Sequence, residues 1–309
     1  MAGRRQVSEW IAAGLAGAAL LAVAPVSATS PSADPTAIRV VHPLNESAGD
    51  TRYKYDWTVL RIALEKSAPR FGPFMMAPAE DPMSRARVTA EMARPDGRIN
   101  IFVRGTSIDL EKRFLPVRIP VDRGILGYRV FLLKEADRAR LEGVRTLDDL
   151  RALRIGQGKD WADLEILRAA GLNTIEAKSY DGLFSMLMAG RFDLFPRAVD
   201  EIYREVEERR ATHPDLAVDS HLLLYYPLPR YFFVRRDAEG ERLAARIEAG
   251  LEIMLRDGTL ETLFRKYKGP VIEQAKLGTR RILRIPNPYL TPETPLGRRE
   301  LWFDPFAAK

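Results

Sequence analysis

Leu251-Glu-Ile-Met-Leu-Arg-Asp-Gly-Thr-Leu-Glu-Thr-Leu-Phe-Arg-Lys-Tyr267 holds two helical periods joined by a turn. Leu251, Met254 and Leu255 extend an apolar stripe that starts at Leu243 and Ile247, and spacings of three and four residues place them on one helix face. Arg256-Asp257-Gly258 turns the chain. Leu260, Leu263, Phe264 and Tyr267 then open a second helix. Stripes of this length must be buried, so both helices are expected to pack back on structure formed earlier in the chain.

That earlier structure has the pattern of alternating strands and helices. Ile38 to Pro43 is a short apolar strand that stops at proline. Trp57, Leu60 and Leu64 recur at helical spacing, Ala68-Pro69 is expected to close the helix, and Phe71 to Ala77 supplies a second strand. A helix over Asp81 to Ala93 ends at Pro95-Asp96-Gly97, and Ile99 to Val103 forms a third strand. The order β-α-β-α-β implies a parallel sheet, so the fold class is α/β. The middle of the chain repeats the scheme. Thr146 caps a helix carrying Leu147, Leu150 and Leu153, Arg154 to Gly156 begins a strand, and Asp160 starts a helix that ends at Gly171. Leu183, Phe184, Leu187 and Met188 share an apolar face, followed by the strand Phe192 to Phe195, stopped by Pro196.

Two lobes result, with the first over residues 37–130 and 231–270 and the second over 131–230. The strands Tyr128 to Leu133 and Tyr231 to Arg235 flank the second lobe and are expected to pair as the double crossing, or hinge. Residues 271–309, with Pro286, Pro288, Pro292 and Pro295, are expected to form an extended, surface-docked tail.

Of the 309 residues, 46% are hydrophobic and 29% charged, enough for one large core or two smaller ones. Arg4-Arg5, the apolar run Ile11 to Val23 and Val26-Ser27-Ala28 read as a secretory signal over residues 1–28, cut near Ala28. The run is shorter than the ~20 residues a transmembrane helix needs. A soluble periplasmic protein is the expectation. The chain has no cysteine, which excludes disulfides, thiolate metal sites, a cysteine nucleophile and a lipidated cysteine. Its net charge of +6 comes from Lys and Arg interspersed with Asp and Glu, as in Arg204 to Arg210, and no nucleic-acid partner is expected.

The stretch from Leu251 to Tyr267 resembles the C-terminal signature of family-3 extracellular solute-binding proteins. Thr146-Leu-Asp-Asp-Leu150, Gly156-Gln-Gly158 and Met186-Leu-Met-Ala-Gly-Arg-Phe-Asp193 precede it in the order that family shows. The resemblance runs from about Ile38 to Tyr267. It implies the type II periplasmic binding fold, with a ligand held between two lobes that close by a hinge movement. It also implies an inner-membrane ABC permease, or a sensor, as partner. Amino-acid-binding members hold the ligand carboxylate with an arginine where this chain has Lys112 beside Arg113, and the ligand ammonium with an aspartate where it has Pro196-Arg197-Ala198. Arg197 in the cleft would favour an anion, because a guanidinium offers carboxylate or phosphate two parallel donors.

The candidate ligand contacts are Arg104, Ser107, Lys112, Gln157, Asp160, Trp161 and Arg197. Arg104-Gly-Thr-Ser107 follows a strand end, where open α/β sheets bind ligands; an ordinary polar loop is the alternative. Gly156 to Trp161 opens a helix whose backbone donors suit an anion, with Trp161 to stack on a flat solute. A turn with Trp161 as packing is the alternative. Arg197 is either a ligand clamp or half of an ion pair with Asp200 or Glu201. His42, His213 and His221 lack metal-ligand spacing, and no Gly-x-Ser-x-Gly or His-Glu-x-x-His motif is present. No catalytic residue, metal or cofactor is therefore expected, and the chain is read as a monomeric binder of a small polar anion.

Two other functions remain open. The same fold supports an exported cyclohexadienyl dehydratase, for which Glu46, Asp50 or Asp160 would supply the acid. An interaction protein without a ligand, acting through its Pro-rich tail, would also fit.

Overall fold

The computed structural model describes residues 37–44, 53–159 and 161–307. The expected signal over residues 1–28, together with Glu46, Asp50 and Asp160, lies outside them.

The chain order is β1 (Ile38–Leu44), α1 (Lys54–Phe71), β2 (Phe74–Pro82), α2 (Arg85–Ala93), β3 (Ile101–Gly105), α3 (Ile108–Arg113), β4 (Leu115–Val117) and β5 (Tyr128–Lys134). Then come α4 (Arg138–Glu142), α5 (Leu147–Arg151), β6 (Arg154–Gly158), α6 (Ala162–Ala169), β7 (Asn173–Ala177), α7 (Tyr180–Met188), β8 (Phe195–Ala198) and α8 (Ile202–Arg209). The last elements are β9 (Leu216–Val218), β10 (Leu222–Tyr225), β11 (Arg230–Val234), α9 (Ala238–Arg256), α10 (Thr259–Ala275) and β12 (Arg281–Arg284).

In the first lobe β1 and β2 pair in parallel, and β11 lies antiparallel between β3 and β4. Asn100 joins the two pieces. Its backbone N–H donates to the Val41 carbonyl, its Oδ1 accepts from the Val41 N–H, and its Nδ2 donates to the Arg39 carbonyl. Strand alternation sorts side chains onto two faces. Ile101, Val103 and Phe232 face a core shared with α1 and α9, while Phe102 and Phe233 face Met83, Val88, Met92 and Phe114. In the second lobe β6 and β7 are parallel, a bridge from Ile155 to Leu194 leads on to β8, and β8, β5 and β10 follow as antiparallel neighbours. Phe131 and Leu133 point to one core, Val130 and Leu132 to another.

The helices expected from Leu243 to Tyr267 are α9 and α10, joined at Gly258, which takes φ +77°. A Cβ at Gly250 of α9 would lie 2.0 Å from the Ala63 carbonyl oxygen of α1, so glycine lets the two helices touch. Arg246 of α9, fully buried, donates to the carbonyls of Leu64, Phe71, Gly72 and Pro73. It thereby satisfies the Phe71 carbonyl at the C-terminus of α1, which the helix itself leaves unpaired, and the carbonyls of the turn that follows.

Several expectations need correction. Helix α1 continues past Pro69 to Phe71 and stops at Gly72, where φ is +80°. Pro196 does not end a strand; it pairs with Phe131 inside β8. The two proposed hinge strands do not pair with each other, since β5 belongs to the second sheet and β11 to the first. The crossings are the segments just before them. They run side by side, with Val121 N–H bonded to the Arg230 carbonyl and Tyr226 N–H to the Gly127 carbonyl.

The tail is not merely extended on the surface. α10 runs across Pro270, because Ile272 and Ala275 beyond it pack on the second lobe's core, and β12 pairs in parallel with β10. The chain then returns to the first lobe. Thr291 donates to Glu111, Arg298 pairs with Glu252, and Leu301 is buried in the core of α1 and α9. Phe303, two residues later, lies in the core of the second lobe and its carbonyl accepts from the Tyr128 hydroxyl. Truncating Leu301→Ala should lower the unfolding free energy by about 2 to 4 kcal/mol in urea titrations, the usual cost of an emptied core position. A loss below about 0.5 kcal/mol would be typical of an exposed residue and would contradict this packing.

Candidate functional site

Between the lobes lies a chamber of about 390 Å³. The start of α1 contributes Tyr53, Lys54 and Tyr55, and α2 contributes Arg85. Asp200, Glu201 and Arg204 come from the end of β8 and the start of α8, Arg230 from the start of β11, and Tyr267 and Lys268 from α10.

Arg230, Lys268 and Asp200 of this lining belong to a cluster of buried charge that continues beneath it to Asp56 and Asp122. Arg230 donates from Nη1 to Asp56 Oδ2 at 3.1 Å, and Lys268 Nζ donates to Asp200 Oδ2 at 2.6 Å. Asp122 accepts from the N–H groups of Gly124 and Leu126, at 3.0 and 3.1 Å. Burial penalises each charged form, and the local balance decides the outcome. Burial pushes Asp122 up to about 6 despite Arg230, and raises Asp56 as well. Burial also works against an ionised Asp200, but Lys268 and Arg230 outweigh it and hold that carboxyl below the usual range. Lys268 and Arg230 are correspondingly held in their charged forms by the surrounding acids, against burial. Asp56 Oδ1, Asp200 Oδ1 and Arg230 Nε are buried without a hydrogen-bond partner. Such atoms are costly unless something pairs with them, and Asp200 and Arg230 bring two of them to residues that line the chamber.

The expected contacts fare unevenly. Arg197 sits at the end of β8, but its guanidinium is consumed: Nε donates to Glu205 at 2.7 Å, and Nη2 reaches Glu205 at 2.6 Å and Glu201 at 2.9 Å. The ring of Trp161 lies 4.9 Å from it, so Trp161 packs on arginine. The ion-pair reading of Arg197 is the one the geometry follows, with Glu205 as the added partner. Ser107 caps α3, accepting from the Leu110 N–H, and Lys112 is exposed and lines neither this chamber nor the niche beside Arg104. Gln157 is buried and bonds the next residue's N–H through its own Oε1. The glycines around it serve packing, since a Cβ at Gly156 would meet the Phe192 ring at 2.2 Å and one at Gly158 the Trp161 ring at 2.4 Å. Arg104 alone lines a cavity, a niche beside the chamber.

Arg230, Lys268, Asp200, Asp56 and Asp122 were missed in the sequence. Their charges come from five separate segments, and only the Pro227-Leu-Pro229 break before Arg230 marks one of them as a crossing. Among the described residues no cluster of His, Asp or Glu could hold a metal ion. His42 stacks on Trp57 at 4.3 Å, and its ring titrates below the ordinary value because it is buried.

No protein-family model matches the sequence, and no curated protein matches it. Solved structures do match the fold. A histidine kinase sensor domain with similarity to periplasmic binding proteins aligns at 17% identity over 75% of this chain and 96% of its own, with a TM-score of 0.52. An ancestral arginine-binding protein bound to glutamine aligns at 17% identity over 76% and 98%, with a TM-score of 0.50. The chain thus has the two-lobed periplasmic binding fold.

Two outcomes check the site's electrostatics. Asp122 gains protons on folding, so between about pH 4 and pH 6 it makes stability fall as pH rises. Asp122→Asn should remove this component, and the stability difference between variant and wild type should grow by up to about 3 kcal/mol over that window in urea titrations. A constant difference would contradict the assignment. Arg197→Met should destabilise by about 3 to 5 kcal/mol, because it strands the buried Glu205 carboxylate. A near-neutral result would return Arg197 to the list of ligand contacts.

Proposed function

We propose that the chain is an exported, periplasmic solute-binding protein that holds a small anionic solute between its lobes, for an ABC importer or a sensor. The observation that carries this reading is the charge of the chamber wall. Lys54, Arg85, Arg204, Arg230 and Lys268 face Asp200 and Glu201 there, an excess of cations in a partly desolvated space. Lys268 is matched by Asp200, and Arg204 keeps only a 3.4 Å contact with Glu208. Lys54 and Arg85 have no ion pair among the described residues. An anion would complete these cations where a cationic solute would add to their repulsion.

Tyr53, Tyr55 and Tyr267 give the same wall flat faces and hydroxyls, the mixture that small polar ligands use for orientation. The ancestral arginine-binding protein of similar fold is bound to glutamine; the anionic reading of this chain rests on its own chamber wall. Among the described residues no helix is long and apolar enough to cross a membrane. Binding without turnover is the behaviour this reading expects.

A thermal-shift panel of dicarboxylates, phosphates, aromatic acids and free amino acids tests the reading. An anion should raise Tm, as any ligand of the native state does, and Arg204→Ser should weaken it at least about tenfold while leaving the unliganded Tm unchanged. Stabilisation by cations alone would overturn the anionic assignment, and conversion of a stabilising ligand to product would favour the dehydratase reading.

A further inference from the structure

A niche of about 30 Å³ opens beside the chamber, and Tyr53 and Arg85 line both spaces. Its other walls are apolar: Leu44, Trp57, Met83, Val88 and Phe102. Two polar groups in this surface lack what they need. Trp57 Nε1 is buried without a hydrogen-bond partner. Arg104 donates to the Thr89 hydroxyl and the Arg85 carbonyl, both at 3.2 Å, and rests over the Phe102 ring at 5.2 Å. Among the described residues no carboxylate is within ion-pair distance of it. Burial pushes Arg104 down to about 10, and the neighbouring Arg85 charge acts in the same direction.

An apolar pocket that also holds uncompensated positive charge makes two demands on its occupant. The body must be apolar, and the atoms beside the arginines must be negative or hydrogen-bond acceptors. We propose that the niche is the specificity subsite of the cleft: it takes a compact apolar arm of an organic carboxylate, with the carboxylate beside Arg85 and Arg104, and it rejects cationic arms. The inference rests on the reading of the chamber as an anion site and adds the class of anion. A branched arm of a few carbons suits the small volume, and an aminoalkyl or guanidinoalkyl arm would bring like charges together.

Calorimetric titration of the full chain with acetate, isovalerate and L-arginine tests it. Isovalerate should bind at least about tenfold more tightly than acetate, and L-arginine should not bind. Val88→Leu fills the niche without burying charge and should bring isovalerate to within about twofold of acetate. Arg104→Gln should weaken both carboxylates at least about tenfold. Equal binding of acetate and isovalerate by the wild type, or a preference that survives Val88→Leu, overturns the niche assignment and leaves the anion site standing. Binding of L-arginine with no binding of either carboxylate overturns both.

Discussion

Three buried carboxyls, Asp56, Asp122 and Asp200, share the junction of the lobes with two cations, Arg230 and Lys268, and none of the five can be charged there alone. Taking an ion out of water costs several kcal/mol, and only a partner at hydrogen-bonding distance offsets it. The partners come from opposite sides of the cleft. Lys268 belongs to α10 and Asp200 follows β8, so satisfying the charges also fixes how the two sheets approach each other. The surplus carboxyl is relieved by titration, which is why Asp122 holds its proton more firmly than a solvated aspartate.

Covalent connectivity reinforces this constraint. Besides the paired crossings at Val121–Arg230 and Gly127–Tyr226, helix α10 passes from the core of α1 and α9 into the second lobe's core through Phe264, Ile272 and Ala275. The segment after β12 then returns and places Leu301 in one core and Phe303 in the other. A hinge spanned by two strands can swing on a few backbone torsions. With two further connections packed across it, any opening must also disturb buried apolar contacts.

Local pattern made much of the fold legible in the sequence. The three- and four-residue spacings from Leu243 to Tyr267 gave both long helices, and Thr146 gave its capping box with Asp149. What escaped was non-local. Pro69 and Pro196 read as stops, yet each lies inside an element whose continuation is held by packing elsewhere in the chain, and α10 runs on past Pro270, where the extended tail was expected to begin. The site escaped for the same reason. Arg197 stands where a ligand clamp would stand, but Glu205, eight residues on and one helix turn from Glu201, folds back to bind it. Arg204 and Arg230 line the chamber instead, and no spacing in the sequence links those two.

The central claim, that the cleft is built for an anion, is tested most directly by mass spectrometry of the small molecules released on denaturing the natively purified protein. The account predicts about one equivalent of a carboxylate with a short apolar arm. Release of a cationic molecule in stoichiometric amount would contradict it.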